Sequence, residues 1–149
     1  MTDPVTRILF VDTANASRSI LAEALVRHAG GERFVAVSAG THPTTVHPLT
    51  RRVLQQSGLD HAWARSKSVD DFVGQPFDYV ITLCDDARLI CPVFPGADQS
   101  FHWAYGEPAS VEGDEAARLT AFQHVYTDLG KRIRQFMLIA DRTPSAAAG

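Results

Sequence analysis

Asp12 and Arg18 bracket a short segment, Thr13-Ala14-Asn15-Ala16-Ser17, and Ser19 follows at once. The segment lies between an apolar run, Arg7-Ile-Leu-Phe-Val11, and a stretch with helical periodicity. A short loop of small residues between a strand and a helix can turn several backbone N–H groups inward beside the helix N-terminus, which makes a ready anion site. The Arg18 guanidinium would fork onto two oxygens of a tetrahedral oxyanion. The competing reading is an ordinary strand-to-helix connection that carries an arginine.

Cys84 and Cys91 are the only cysteines. Two thiols are too few for a disulfide-stapled scaffold or a four-thiolate zinc site. They are either a dithiol–disulfide couple or two partly buried, inert thiols. His42, His47 and His102 lack the mutual spacing of metal ligands and are expected at the surface or as helix caps. Neither a metal nor a cofactor is expected.

The elements that would position these groups follow from periodicity. The apolar run ending at Val11 reads as a buried strand, and Ile20, Leu21, Ala24, Leu25 and His28 mark a helix that stops at Gly30-Gly31. Phe34–Val37 reads as a second strand closed by Ser38-Ala-Gly40, and His47-Pro48 opens a helix that runs to Gly58. Phe77–Leu83 is a third strand delivering Cys84 at its C-terminal end, and a fourth is expected near Ser100–Trp103. Leu119, Phe122, Val125, Leu129, Ile133 and Phe136 form the stripe of a long last helix. Alternating strands and helices predict an α/β fold, a four-stranded parallel sheet with helices on both faces. Ligands of such sheets bind at the carboxyl ends of the strands, where both the Asp12–Ser19 loop and Cys84 fall.

With 149 residues, 45% of them hydrophobic, the chain can bury one core. The expected organisation is a single domain over residues 1–142 and a flexible tail over 143–149. The net charge of -3 comes without runs of either sign, which argues against nucleic acid as a partner. No stretch of about 18 apolar residues exists, and Met1-Thr-Asp-Pro4 lacks the layout of a secretion leader, so no membrane association and a cytoplasmic location are expected. Trp63, Trp103 and Tyr105 are candidates for a pocket rim or for packing.

Val11–Ser19 followed by Ile-Leu-Ala-Glu-Ala24 resembles the loop of low-molecular-weight tyrosine phosphatases and thioredoxin-coupled arsenate reductases, where the pattern is Cys, five residues, Arg, Ser or Thr. Ser38-Ala-Gly40, Arg65–Ser68, Phe77–Cys84, Cys91–Pro95, His102-Trp103 and Glu107-Pro108 match in the same order along the chain. The thiol pair makes the arsenate reductase branch the nearer resemblance. It implies oxyanion binding by Thr13, Ala14, Asn15, Ala16, Ser17, Arg18 and Ser19, with Asn15 holding the loop in shape. It also implies catalytic roles for Arg18 and for the residue at position 12, a general acid at Glu107, and a redox relay through Cys84 and Cys91.

The departures bear on function. Asp12 stands where the resemblance places the nucleophilic cysteine, Ser17 stands where many of the reductases have a second loop cysteine, and Glu107 replaces an aspartate one methylene shorter. Ala14 and Ala16 depart as well. A carboxylate at position 12 extends into the volume of the oxyanion, is a weaker nucleophile than a thiolate, and cannot supply electrons to arsenate. Arg18, the Ser19 hydroxyl and the inward N–H groups are expected to lower the Asp12 pKa. The reading is a catalytically inactive module that binds a phosphate- or arsenate-like oxyanion, a phospho-ligand or a protein partner. The alternative is an active reductase or hydrolase using Asp12 or the Cys84/Cys91 pair. A third reading is a redox-responsive interaction domain.

Overall fold

The computed structural model describes residues 5–91 and 99–141. Four strands, β1 (Thr6–Asp12), β2 (Phe34–Gly40), β3 (Tyr79–Thr82) and β4 (Gln99–His102), form one sheet in the order β2-β1-β3-β4. Every neighbouring pair is parallel. The expected α/β fold and four-stranded parallel sheet are therefore present.

β1 is the central organiser because its side chains alternate between two cores. Ile8 and Phe10 enter one cluster with helices α1 (Arg18–Gly30), α2 (Pro48–Gln56) and α4 (Glu115–Ala140). Leu9 and Val11 enter the other, with Phe77, Val80, Cys84 and Ala87. All four β1 residues are fully buried, as a parallel strand covered on both faces requires. A third, short helix, α3 (Asp85–Ile90), and a 3-10 turn at Val69–Phe72 belong to this second face.

Several boundaries shift from the sequence reading. β2 runs on through Ser38-Ala-Gly40, because Asp12 pairs with Gly40 in the ladder. β3 shrinks to Tyr79–Thr82, although the Leu83 N–H still donates to the Val11 carbonyl at 2.8 Å before Cys84 caps α3. In α1, Val26 is buried and His28 exposed, so the expected stripe gives way to a helix covered by both the sheet and α4. α1 ends where Gly31 takes a left-handed φ of 56°. The 143–149 tail and the Pro92–Pro95 part of the resemblance lie outside the described residues. Among the described residues, no helix is long and apolar enough to cross a membrane.

Candidate functional site

The segment from Asp12 to Arg18 joins the C-terminal end of β1 to the first turn of α1. Its carbonyls are tied outward by a second wall of chain. Thr41, His42, Thr44 and His47 donate their N–H groups to the carbonyls of Asp12, Thr13, Ala14 and Ala16 at 2.8–3.1 Å. The Ser66 hydroxyl adds a bond to the Ala14 carbonyl, and that of Thr50 one to Ala16, at 2.8 and 2.7 Å. With its carbonyls facing out, the loop presents N–H groups to its interior.

Asn15 supplies the turn. Its φ of 49° is left-handed, a conformation asparagine tolerates better than most residues. Its side-chain NH2 donates to Ser19 Oγ at 2.7 Å, and its Oδ1 accepts the Lys67 N–H at 2.8 Å. Gly40 is required at the adjoining strand end: a Cβ there would stand 2.6 Å from the Thr13 carbonyl oxygen and 2.9 Å from the Asn15 nitrogen.

Asp12 sits at the base of the loop, 1% exposed. Its Oδ1 accepts the Asn15 N–H at 2.6 Å and its Oδ2 the Ser19 N–H at 2.9 Å. The carboxylate thus consumes two loop donors, while the N–H groups of Ala14, Ala16 and Ser17 meet no acceptor among the described residues. The expected downward pKa shift is overturned. Burial pushes the Asp12 carboxyl above its ordinary value, and the Ser19 N–H, the Arg18 charge and the Asn15 N–H oppose this without reversing it.

Arg18 does not pair directly with Asp12. Its guanidinium donates to the Tyr105 carbonyl at 2.8 Å and to Glu107 Oε2 at 2.9 Å. Its Nε is buried and has no partner among the described residues. Glu107 Oε1 accepts the Ser17 hydroxyl at 2.8 Å and the Ala109 N–H at 3.0 Å. The loop and Glu107, far apart in sequence, therefore meet.

Cys84 lies beside the loop, its Sγ 3.2 Å from the Thr13 hydroxyl. Cys84 and Cys91 flank α3 as its N-cap and C-cap, and neither forms a disulfide. Seven residues at helical rise separate their Cα atoms by about 10 Å, beyond the span of a disulfide, so pairing requires α3 to unwind. Burial pushes the Cys91 thiol up to about 11.

Other candidates separate. His47 caps α2, its Nδ1 accepting the Leu49 N–H at 3.0 Å. Burial lowers its pKa, which suits an accepting, neutral ring. His102 bridges Thr82 Oγ1 and Asp85 Oδ1, each at 2.8 Å. Trp103 is a core residue packed on Phe10 and Phe136, and Trp63 lies under the Arg27 guanidinium, so neither is shown rimming the loop. Among the described residues, no three or more His, Cys, Asp or Glu side chains come together as a metal site would require.

Sequence reasoning missed a buried polar cluster behind the loop. Glu23, 1% exposed, accepts the Ser38 hydroxyl at 2.6 Å and pairs with Arg27 at 2.8 Å. The Lys67 ammonium lies 3.8 Å from Glu23 and donates to the Arg65 carbonyl at 2.8 Å, while burial lowers its pKa. A glutamate amid Ile20, Leu21, Ala22 and Ala24 was the available signal, since buried charge of this kind is paired.

A parallel α/β domain with a rigid, N–H-lined loop between β1 and α1 is the class these features define. Residues 7–145 match the family described as low molecular weight phosphotyrosine protein phosphatase. The arsenate reductase of Halalkalibacterium halodurans is 32% identical over 129 residues, covering 87% of this chain and 93% of that protein. The arsenate reductase of Bacillus subtilis is 30% identical with the same coverage. A thioredoxin-dependent arsenate reductase of Corynebacterium glutamicum superposes with a TM-score of 0.73 at 30% identity, covering 94% of this chain and 64% of that one. An arsenate reductase solved in a phosphate-binding state shares the fold, with a TM-score of 0.76 at 21% identity over 91% of this chain and 99% of its own. The chain belongs to the low-molecular-weight phosphotyrosine protein phosphatase family.

Proposed function

We propose that this chain is a catalytically inactive member of its family that binds an oxyanion, or a partner presenting one, through the Asp12–Ser19 loop. The observation that carries this reading is the Asp12 carboxylate, with each oxygen held by a backbone N–H. A nucleophile at position 12 would need a lone pair directed at phosphorus or arsenic, and a carboxylate so held is a poor one. The unpartnered N–H groups of Ala14, Ala16 and Ser17 and the Arg18 Nε support retained anion binding. Glu107 is occupied by bonds to Arg18 and Ser17, which suits a ligand of the loop better than a free general acid. A cytoplasmic setting belongs to this reading, as does the thioredoxin supply implied by the name of one solved relative.

The test is turnover. p-Nitrophenyl phosphate, and arsenate with a thioredoxin supply, should not be consumed by the native chain, while Asp12→Cys should gain phosphatase activity. Steady hydrolysis that disappears in Asp12→Ala would sink the reading.

One observation favours a reductase instead: Cys84 lies against Thr13, within the loop wall. Thiol-dependent formation of arsenite, lost in Cys84→Ser, would establish that alternative.

A further inference from the structure

Arg18 is the strongest anion-binding group at the loop, and it is already engaged. One N–H of one terminal nitrogen meets the Tyr105 carbonyl and one of the other meets Glu107 Oε2, and of the three nitrogens the buried Nε has no partner among the described residues. The second Glu107 oxygen accepts the Ser17 hydroxyl at 2.8 Å. A carboxylate from a segment 90 positions downstream of Ser17 thus presents one oxygen to the guanidinium and one to the loop hydroxyl. This is the donor set on which two oxygens of a bound phosphate would also draw.

The two partners differ in exposure. The Glu107 side chain is 27% exposed and that of Arg18 6%. The carboxylate can leave toward solvent while the guanidinium stays. Length matters too, because an aspartate at position 107 would fall short of this contact by roughly one C–C bond, about 1.5 Å.

We propose that Glu107 is the built-in ligand of Arg18, a tethered carboxylate that any incoming tetrahedral oxyanion must displace. It follows that the site selects ligands able to outcompete a carboxylate, favouring dianions of the phosphate type over monoanions. The proposal rests on the oxyanion-binding reading above.

The test is titration with inorganic phosphate, by calorimetry and by the Arg18 Nε–H NMR resonance. The proteins are the native chain, Glu107→Gln, Glu107→Asp, Asp12→Ala and the double variant Asp12→Ala/Glu107→Gln. Both Glu107 single variants should bind phosphate at least about tenfold more tightly than the native chain, since the competing carboxylate charge is removed in Glu107→Gln and drawn back from Arg18 in Glu107→Asp. The Arg18 resonance should move on binding. Thermal melts run alongside, and if Glu107→Gln fails to fold, Glu107→Asp carries the comparison. Phosphate affinity unchanged by every Glu107 substitution, with Asp12→Ala binding normally, overturns the role of Glu107 and leaves the oxyanion site standing. No phosphate binding by any of the proteins removes both.

Discussion

Asn15 Oδ1 accepts the Lys67 N–H at 2.8 Å, joining the loop after β1 to a segment 52 residues away. The same side chain donates to Ser19 Oγ, so one residue in a left-handed turn ties the base of α1 to the opposite wall.

Asn15→Ala should destabilise the protein by roughly 2–4 kcal/mol, because it strains the backbone and leaves the buried Lys67 N–H without its acceptor. Asn15→Gly keeps the left-handed φ accessible and should recover the strain part alone. Urea denaturation of both variants measures the split, and equal losses would show that the backbone conformation contributes little.

Gly40→Ala should cost about 1–3 kcal/mol and displace the loop, since the new methyl meets the Thr13 carbonyl and the Asn15 nitrogen at distances that real side chains do not occupy. Chemical denaturation gives the cost. Amide chemical shifts of Thr13 to Ser19 should move more than those of α4, and a uniform small change would contradict the steric account.

Asp12 sets a pH dependence of definite sign. Its folded-state pKa is raised by burial above 3.8, so the native state holds the proton more tightly than the unfolded chain. The stability it contributes is present at low pH and lost as pH rises through the folded value. The stability difference between native protein and Asp12→Asn, measured by denaturation from pH 3 upward, should therefore shift against the native protein with rising pH. A shift in the opposite direction would mean that the N–H bonds and Arg18 outweigh burial.

Cys91 should be slow to alkylate. With its thiol pushed up from 9.0 to about 11, its thiolate fraction at neutral pH falls about a hundredfold. Iodoacetamide labelling of Cys84→Ser followed by mass spectrometry should show a rate far below that of a small-molecule thiol of ordinary pKa. Labelling at the ordinary rate would indicate that α3 opens readily around Cys91.

Much of this architecture was legible because β1 and its loop are local. The apolar run to Val11, the small residues after Asp12 and the stop at Gly30-Gly31 specify strand, turn and helix through periodicity and backbone preference alone. The partners of the loop were not legible in the same way. That Arg18 meets Glu107, and that Thr41 to His47 hold the loop carbonyls, depends on chain segments brought together only by the sheet. The sign of the Asp12 shift escapes the sequence for the same reason: donors can be counted along the chain, but depth of burial cannot. Glu23 and Lys67 became a cluster only once β2 placed Ser38 beside them.

The outward bonding of the loop carbonyls has a consequence for how such a protein changes over time. The mould is kept from outside the loop by Thr41, His42, Thr44, His47, Thr50 and Ser66, and from within it by Asn15. The outward-facing carbonyls therefore do not depend on which side chain stands at position 12.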